Sequence, residues 1–431
     1  MKLSSFLRLS SKTTNPQANP SVVYNLYSLP SFDDGRKCEV VHGSEIQSNK
    51  FIVPDKCILF NKLNVRFKRI WRIDNTEPNK IASTEFLPLV VDESIVDFHY
   101  CYYLLRSDRI TDYLTGQNTN TSGSHKRIDP DNFFDIEVSL PPLEDQKRIG
   151  EVLSNLDMKI DINTSLNHYL EAMAKQLYDY WFVQFDFPDA NGNPYKSSGG
   201  KMIWNGKLRR EIPEGWEDCT LGRYVGRITN GLNPRKNFTL GHGNNYYVTI
   251  RSLLGTDIDW DNCDRCDDEA LTKINSRSQL TQGDVIFSAI GTIGRTFYIQ
   301  DFPSNWNISE TSFTLRAAES IPSDLFYCIL RSAEIQRQAD KNAMGSTLRC
   351  LVMDSLLKIP YIWIPENLRA QYAKFVRPIL KQINELNKSM RQLIMLRNET
   401  MLVLMNGQVS VKQLNNDLPL TFIIIRKTSQ I

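Results

Sequence analysis

Long hydrophobic runs are missing from this 431-residue chain. Its apolar runs, such as FIII at residues 422–425, are far below the roughly twenty residues that cross a bilayer, so no membrane span is expected. The opening MKLSSFLRLSSKTT has no apolar core followed by a small-residue cleavage site, and a cytoplasmic protein is expected. Cysteine is sparse: eight residues are scattered without the spacing of a disulfide framework, which fits a reducing compartment. The C-x-x-C formed by Cys263 and Cys266 has no second pair at zinc-ribbon spacing, so no metal site is expected. An excess of charge of one sign is missing too. The net charge of +2 means that any nucleic-acid surface has to be local.

Catalytic signatures are equally thin. There is no Walker-type phosphate loop and no Asn/Asp-Pro-Pro-aromatic stretch of the kind used in amino methylation. The five histidines do not cluster in sequence. Pro130-Asp131 followed by Asp145 and Lys147 satisfies a loose nuclease pattern, but Asp145 is better explained as an acid at a helix N-terminus. No catalytic residue is assigned.

What the chain does contain is a copy of itself. FHYCYYLLRSDRI at residues 98–110 is echoed by LFYCILRSAEI at 325–335, with Leu105, Arg106 and Ser107 matching Leu330, Arg331 and Ser332. Upstream, PDKCILFNKLNVRFKRIWRI from Pro54 resembles QGDVIFSAIGTIGRTFYI from Gln282. Downstream, SGSHKRID from Ser122 is echoed by MGSTLRCLV from Met344. Each copy meets a proline stop, Pro141–Pro142 or Pro365, and a long helical pattern follows. Strand-like runs such as KCILF and FLPLVV, or DVIFSAI and FTLRA, make each copy a compact α+β globule. The order is globule, helix, globule, helix. Residues 185–213 are turn-rich and read as a linker.

The first helical pattern has a 4,3 seam through Ile149, Leu153, Leu156, Ile160, Asn163, Leu170 and Leu177. The second repeats it with Ile379, Ile383, Leu386 and Leu393; Pro378 is expected to kink that helix or mark its first turn. Residues 144–179 carry seven acids against four bases, and residues 366–399 carry seven bases against three acids. Opposite charge favours the two helices as partners in an antiparallel coiled coil. At ~1.5 Å per residue such a rod is roughly 58 Å long, enough to act as a spacer.

Basic residues gather in a few places. Lys62, Arg66, Lys68, Arg69 and Arg72 interleave with Asn64, Phe67 and Trp71. A polar loop holds Ser124, Lys126 and Arg127. In the second copy Asn233, Arg235 and Lys236 stand together; Thr292 lies in a GTIG turn that Arg295 follows, and Ser346, Thr347 and Arg349 follow Gly345. Arg and Asn read guanine and adenine edges, while Lys and hydroxyls hold phosphates, so these residues are the candidate double-stranded DNA contacts. Solvated turns and protected strand edges would use the same residue types.

The stretch LPPLEDQKRIGEVLSNLDMKIDINTSLNHYLEAMAKQLYDYWFVQFDFP closely resembles the central region of the specificity subunits of type I restriction–modification systems. NPYKSSGGKMIWNGKLRREIPEGW, GDVIFSAIGTIG and LRNETMLVLMNGQVSV are also similar to that family. The resemblance is weakest over the first 30 and last 20 residues, and IPENLRAQYAKF stands where the family repeats its PPLEEQ helix start. It implies a first target-recognition domain over 1–143, a central spacer helix over 144–184, the linker, a second target-recognition domain over 214–364, a distal spacer helix over 365–405 and a tail over 406–431. It also implies a DNA reader without catalysis or cofactor of its own. Two methyltransferase subunits using S-adenosylmethionine, and a restriction/motor subunit using ATP and Mg2+, would be its partners. The competing reading is a coiled-coil protein-binding scaffold without DNA specificity.

Overall fold

The computed structural model describes residues 1–116 and 127–405. Ser124, Lys126 and the tail at 406–431 lie outside the described residues. The chain divides into two compact units. One joins Met1–Ile160 with the segment from Gln392 onward, and the other is Asp161–Arg391. Each of the two long helices, Leu143–Tyr178 and Glu366–Met405, therefore contributes one stretch to each unit.

The first unit has an antiparallel sheet in the order Leu7–Leu9, Phe86–Val91, Lys56–Asn61, Ile70–Asp74. Lys56–Asn61 is buried on both faces after its first residue, which is why CILF is continuously apolar rather than alternating. A second sheet runs Thr13–Thr14, Lys50–Ile52, Lys80–Ala82, Val23–Tyr27, Glu39–His42, with Val23–Tyr27 parallel to Lys80–Ala82. Two helices follow, Phe98–Arg106 and Asp108–Gly116, and then the short Pro130–Phe134. Their apolar faces close the main core with Ile149, Leu153 and Leu404 from the long helices.

The second unit has an antiparallel sheet in the order Val225–Asn230, Ser312–Ala317, Val285–Ser288, Thr296–Tyr298. A smaller sheet sets Asn245–Val248 parallel to Trp306–Ile308 and antiparallel to Asp264–Cys266. Ser323–Arg331, Ala333–Asn342 and Met353–Leu357 follow. The main-sheet strand order, the one parallel pair and the order of the three helices that follow are those of the first unit, while the smaller sheet has three strands against five. The segments matched in the sequence, 54–73 with 282–299 and 98–110 with 325–335, occupy equivalent elements.

Residues 185–213, read as a turn-rich linker, carry regular structure. They form a hairpin, Met202–Asn205 with Arg210–Pro213, and Ile212 is fully buried. Phe187 stacks between Tyr195 and Trp216 at centroid distances of 4.8 and 5.2 Å. The Asn/Gly/Ser turns hid these aromatics, whose burial supplies the ordering force. Of the two roles expected for Pro378 the first-turn one is excluded: the helix begins at Glu366 and Pro378 is interior.

Along the helices, Ile149, Leu153 and Leu156 are buried and Ile160 is half-buried. Leu170, Leu177, Ile379 and Ile383 pack on the second unit's core; Leu386 is buried and Leu393 half-buried. Within that unit Asn163 bonds Ser389, buried Asn167 bonds Asn387, and the rings of Tyr178 and Tyr372 meet, so the helices run antiparallel there. The first helix ends in a wider π turn, Asp179–Val183, which buries Trp181 and Phe182.

Candidate nucleic-acid interface

In each unit a hairpin at one end of the main sheet carries part of the predicted contact set. In the first unit the hairpin joins Lys56–Asn61 to Ile70–Asp74. Buried Asn61 closes the loop: its side-chain amide donates to the Leu63 carbonyl and accepts from the Leu63 N–H at 2.8 Å. The Lys62 N–H donates to the Glu85 carbonyl at 2.9 Å, and the Lys62 carbonyl accepts from Ile128. A bridge between Leu63 and Arg127 brings two predicted patches side by side.

The charges there are not equally free. Arg69 holds Asp33 in a bidentate pair, both contacts 2.7 Å. Lys68 pairs with Asp108. Arg127 grips Glu85 at 2.7 and 3.0 Å, and that hydrogen bond holds the Glu85 carboxyl below its ordinary range. Lys62 and Arg66 form no ion pair among the described residues, which leaves them the most available cations for phosphate. Asn64 sits in a left-handed conformation at the loop's first turn.

Arg72 leaves the patch. It lies on a strand, and its guanidinium donates to Ser154 on the long helix at 3.0 Å and to His99 Nδ1 at 2.9 Å. Burial, and then the Arg72 charge, push the His99 pKa down, so its neutral ring accepts from Arg72. Period-2 alternation places Arg72 on the opposite face from Trp71, a direction that composition does not reveal.

In the second unit buried Ser288 takes the place of Asn61. Its hydroxyl donates to the Thr292 carbonyl at 2.6 Å and accepts from the Arg295 N–H at 2.7 Å. Gly291 and Gly294, both at positive φ, make the tip. A Cβ on Gly294 would also lie 2.0 Å from Gln336 Oε1. The Gly291 N–H donates to the Arg349 carbonyl at 2.8 Å, so Thr292 and the exposed Ser346 and Thr347 share one surface. Arg349 itself pairs with Asp340. Ala289 donates to Thr311, and the neighbouring Glu310 accepts from the Asn233 amide at 2.7 Å, which draws 233–236 to the same end. Arg235 and Lys236 are exposed, on a turn capped by Asn233. Arg295 bonds the carbonyls of Ile250 and Leu253 at 3.1 and 3.4 Å. It thereby stands beside exposed Arg251, a cation that sequence reading missed because it is alone among apolar neighbours.

Sequence reading also gave no role to the repeated Arg106 and Arg331. Both reach back four residues to a tyrosine hydroxyl, Tyr102 at 3.0 Å and Tyr327 at 2.8 Å. Both then turn to an acid on the first long helix: Arg106 to Asp157 at 3.5 Å and Arg331 to Glu171 at 2.9 Å. Asp157 also accepts from Tyr103 at 2.6 Å and Arg397 at 2.8 Å. Burial opposes its charge, but these bonds prevail and its pKa falls below the ordinary value. The LRS repeat therefore fastens each globule to a stretch of the first long helix, through Asp157 in the first unit and Glu171 in the second.

Cys263 and Cys266 are buried, and burial pushes both thiols up. Among the described residues no group of three or more His, Cys, Asp or Glu could hold a metal ion, and no helix is long and apolar enough to cross a membrane.

Residues 2–172 match the type I restriction modification DNA specificity domain. The MjaIX specificity subunit of Methanocaldococcus jannaschii is 22% identical over 339 residues, 78% of this chain and 74% of that protein. The HindI specificity subunit of Haemophilus influenzae is 29% identical over 150 residues, 35% of this chain and 33% of that one. In fold the chain is similar to the crystal structure of the type I restriction–modification S subunit from M. genitalium. The TM-score is 0.58 at 14% identity, covering 94% of this chain and 95% of that one.

Proposed function

From the premise that this chain belongs to the type I restriction–modification specificity subunits, we propose that it is the non-catalytic DNA-recognition subunit of such a complex, each unit reading one half of a bipartite target. The chain works with the other subunits of the complex and with DNA. The observation that carries the two-reader reading is the repetition of one site on one topology. In both units the hairpin between the third and fourth strands of a main sheet of identical order carries candidate contacts, and loops bonded to it carry the others.

In finer terms, the chain is a pseudo-two-fold pair of target-recognition domains on two long antiparallel coiled-coil spacer helices. The Asn163–Ser389 and Asn167–Asn387 bonds support that reading, since polar pairs on a seam fix register. The helices dock two methyltransferase subunits, which bring S-adenosylmethionine and methylate adenine. A motor–nuclease subunit brings ATP and Mg2+, and the assembly works in the cytoplasm. The hairpins differ in chemistry, a charged loop with Phe67 against a glycine turn with Thr292, so the two half-sites differ in sequence. Mapping methylated adenines in the host genome with and without this chain tests the reading. A split motif that vanishes with the chain is expected; an unchanged methylation map refutes it.

A further inference from the structure

We infer that Phe67 is a stacking wedge, which the first unit's hairpin presses against a base step of its duplex half-site. This inference deepens the DNA-reader reading and rests on it. Phe67 is 52% exposed, although Val65, two residues earlier, is buried and anchors the same turn. The loop is one 3-10 turn, Val65–Phe67, bounded by Asn64 at φ 52° and Lys68 at φ 46°. Asparagine tolerates a left-handed backbone, but lysine at that φ is strained. The equivalent hairpin of the other unit makes its tip with two glycines, Gly291 and Gly294, at no such cost. The first hairpin therefore keeps side chains in a conformation that glycine would relieve, and the frame presents an aromatic ring to solvent.

That ring stands among cations. The Arg66 and Arg69 guanidinium carbons lie 4.8 and 4.9 Å from its centroid. Asp33 fixes Arg69 through both carboxylate oxygens, so Arg69 is a fixed wall for the ring. Arg66 is exposed and outside any ion pair among the described residues. An apolar ring flanked by guanidinium groups matches the stacked bases and lined phosphates of a duplex. Apolar side chains wedge between base steps, and aromatic stacking on a base tolerates any sequence. Asn61 holds the loop below its tip, so the wedge is preformed. At the other hairpin's tip Ile293 is half-buried between its glycines, so the wedge belongs to the first half-site alone.

The test uses the full chain assembled with its methyltransferase partners on a duplex carrying the methylation-mapped target. 2-Aminopurine replaces each base of the first half-site in turn. In the wild type one step brightens as stacking opens. Phe67→Ala is expected to lose that signal and bind about tenfold more weakly, while Phe67→Trp keeps both. Binding to the second half-site stays unchanged. Specific wild-type binding with no brightened step, or a Phe67→Ala protein that binds and brightens like wild type, overturns the wedge alone. A wild-type assembly without sequence-specific binding overturns the reader reading and the wedge with it.

Discussion

At the residue scale, the hairpin cations separate by their partners. Among the described residues Arg66 has no ion pair, whereas Arg69 is committed to Asp33. Arg66→Ala should therefore lower the slope of log affinity against log salt by roughly 1 without lowering the melting temperature. Arg69→Ala should loosen the loop as well, seen as faster hydrogen exchange at 65–69. Equal salt slopes for wild type and Arg66→Ala would remove Arg66 from the phosphate contacts. Gly294 is a second sharp case. Its φ of 88° makes Gly294→Ala costly, about 1–3 kcal/mol in denaturant unfolding. The GTIG turn was visible in the sequence, and so was the basic run at 62–72. Which cations are neutralised was not, because the pairs Asp33–Arg69 and Glu85–Arg127 join residues far apart in the chain.

At the element scale, the long helices are tied to their globules by buried charge as well as by the apolar seam. Asp157 accepts from Tyr103 and Arg397 and stands beside Arg106, and its side chain is only 13% exposed. Asp157→Asn leaves two arginines poorly paired, so a loss of about 2–4 kcal/mol at pH 7 is expected. The sign with pH follows from the depressed pKa. The stabilisation is complete above the ordinary aspartate value and fades as pH falls through the folded value, so the gap between variant and wild type should narrow below about pH 4. A gap that stays constant from pH 7 to pH 3 would refute this. For the repeat mate, Arg331→Ala leaves Glu171 with the Thr256 hydroxyl but no cation and should cost about 1–3 kcal/mol. Hydrogen exchange should quicken in Ser323–Arg331 and not in Phe98–Arg106. The helical periodicity was legible because Ile, Leu and Asn recur at 4,3 spacing. The acids on the adjoining stripe were counted as partner-helix charge, and two of them turned out to face arginines of the globules.

At the scale of the whole molecule, the net charge of +2 leaves affinity to the two local patches. Changes in one hairpin should therefore act on one half-site. Methylation mapping of a strain whose loop 62–68 is replaced by a neutral turn should relax or lose the first half of the motif and keep the second. Relaxation of both halves would contradict independent readers. The fold class and the duplication were legible because each copy repeats its strand runs, its LRS segment and its proline stop in the same order. The ordered hairpin inside 185–213 was not legible. Its turn residues are local signals, but the Phe187, Tyr195 and Trp216 stack exists only once the chain has folded back.

The sequence by itself determined two α+β globules, two long helices and the segments that carry cations. Each of these rests on short-range periodicity, which the chain writes out residue by residue. Only the tertiary structure decided which cations stay free, that Arg72 turns to the helix, that Arg106 and Arg331 are fasteners, and that Phe67 is held outward. Those outcomes depend on which distant carboxylate, hydroxyl or backbone group comes within about 3 Å of each side chain, and strand pairing between remote segments sets that distance.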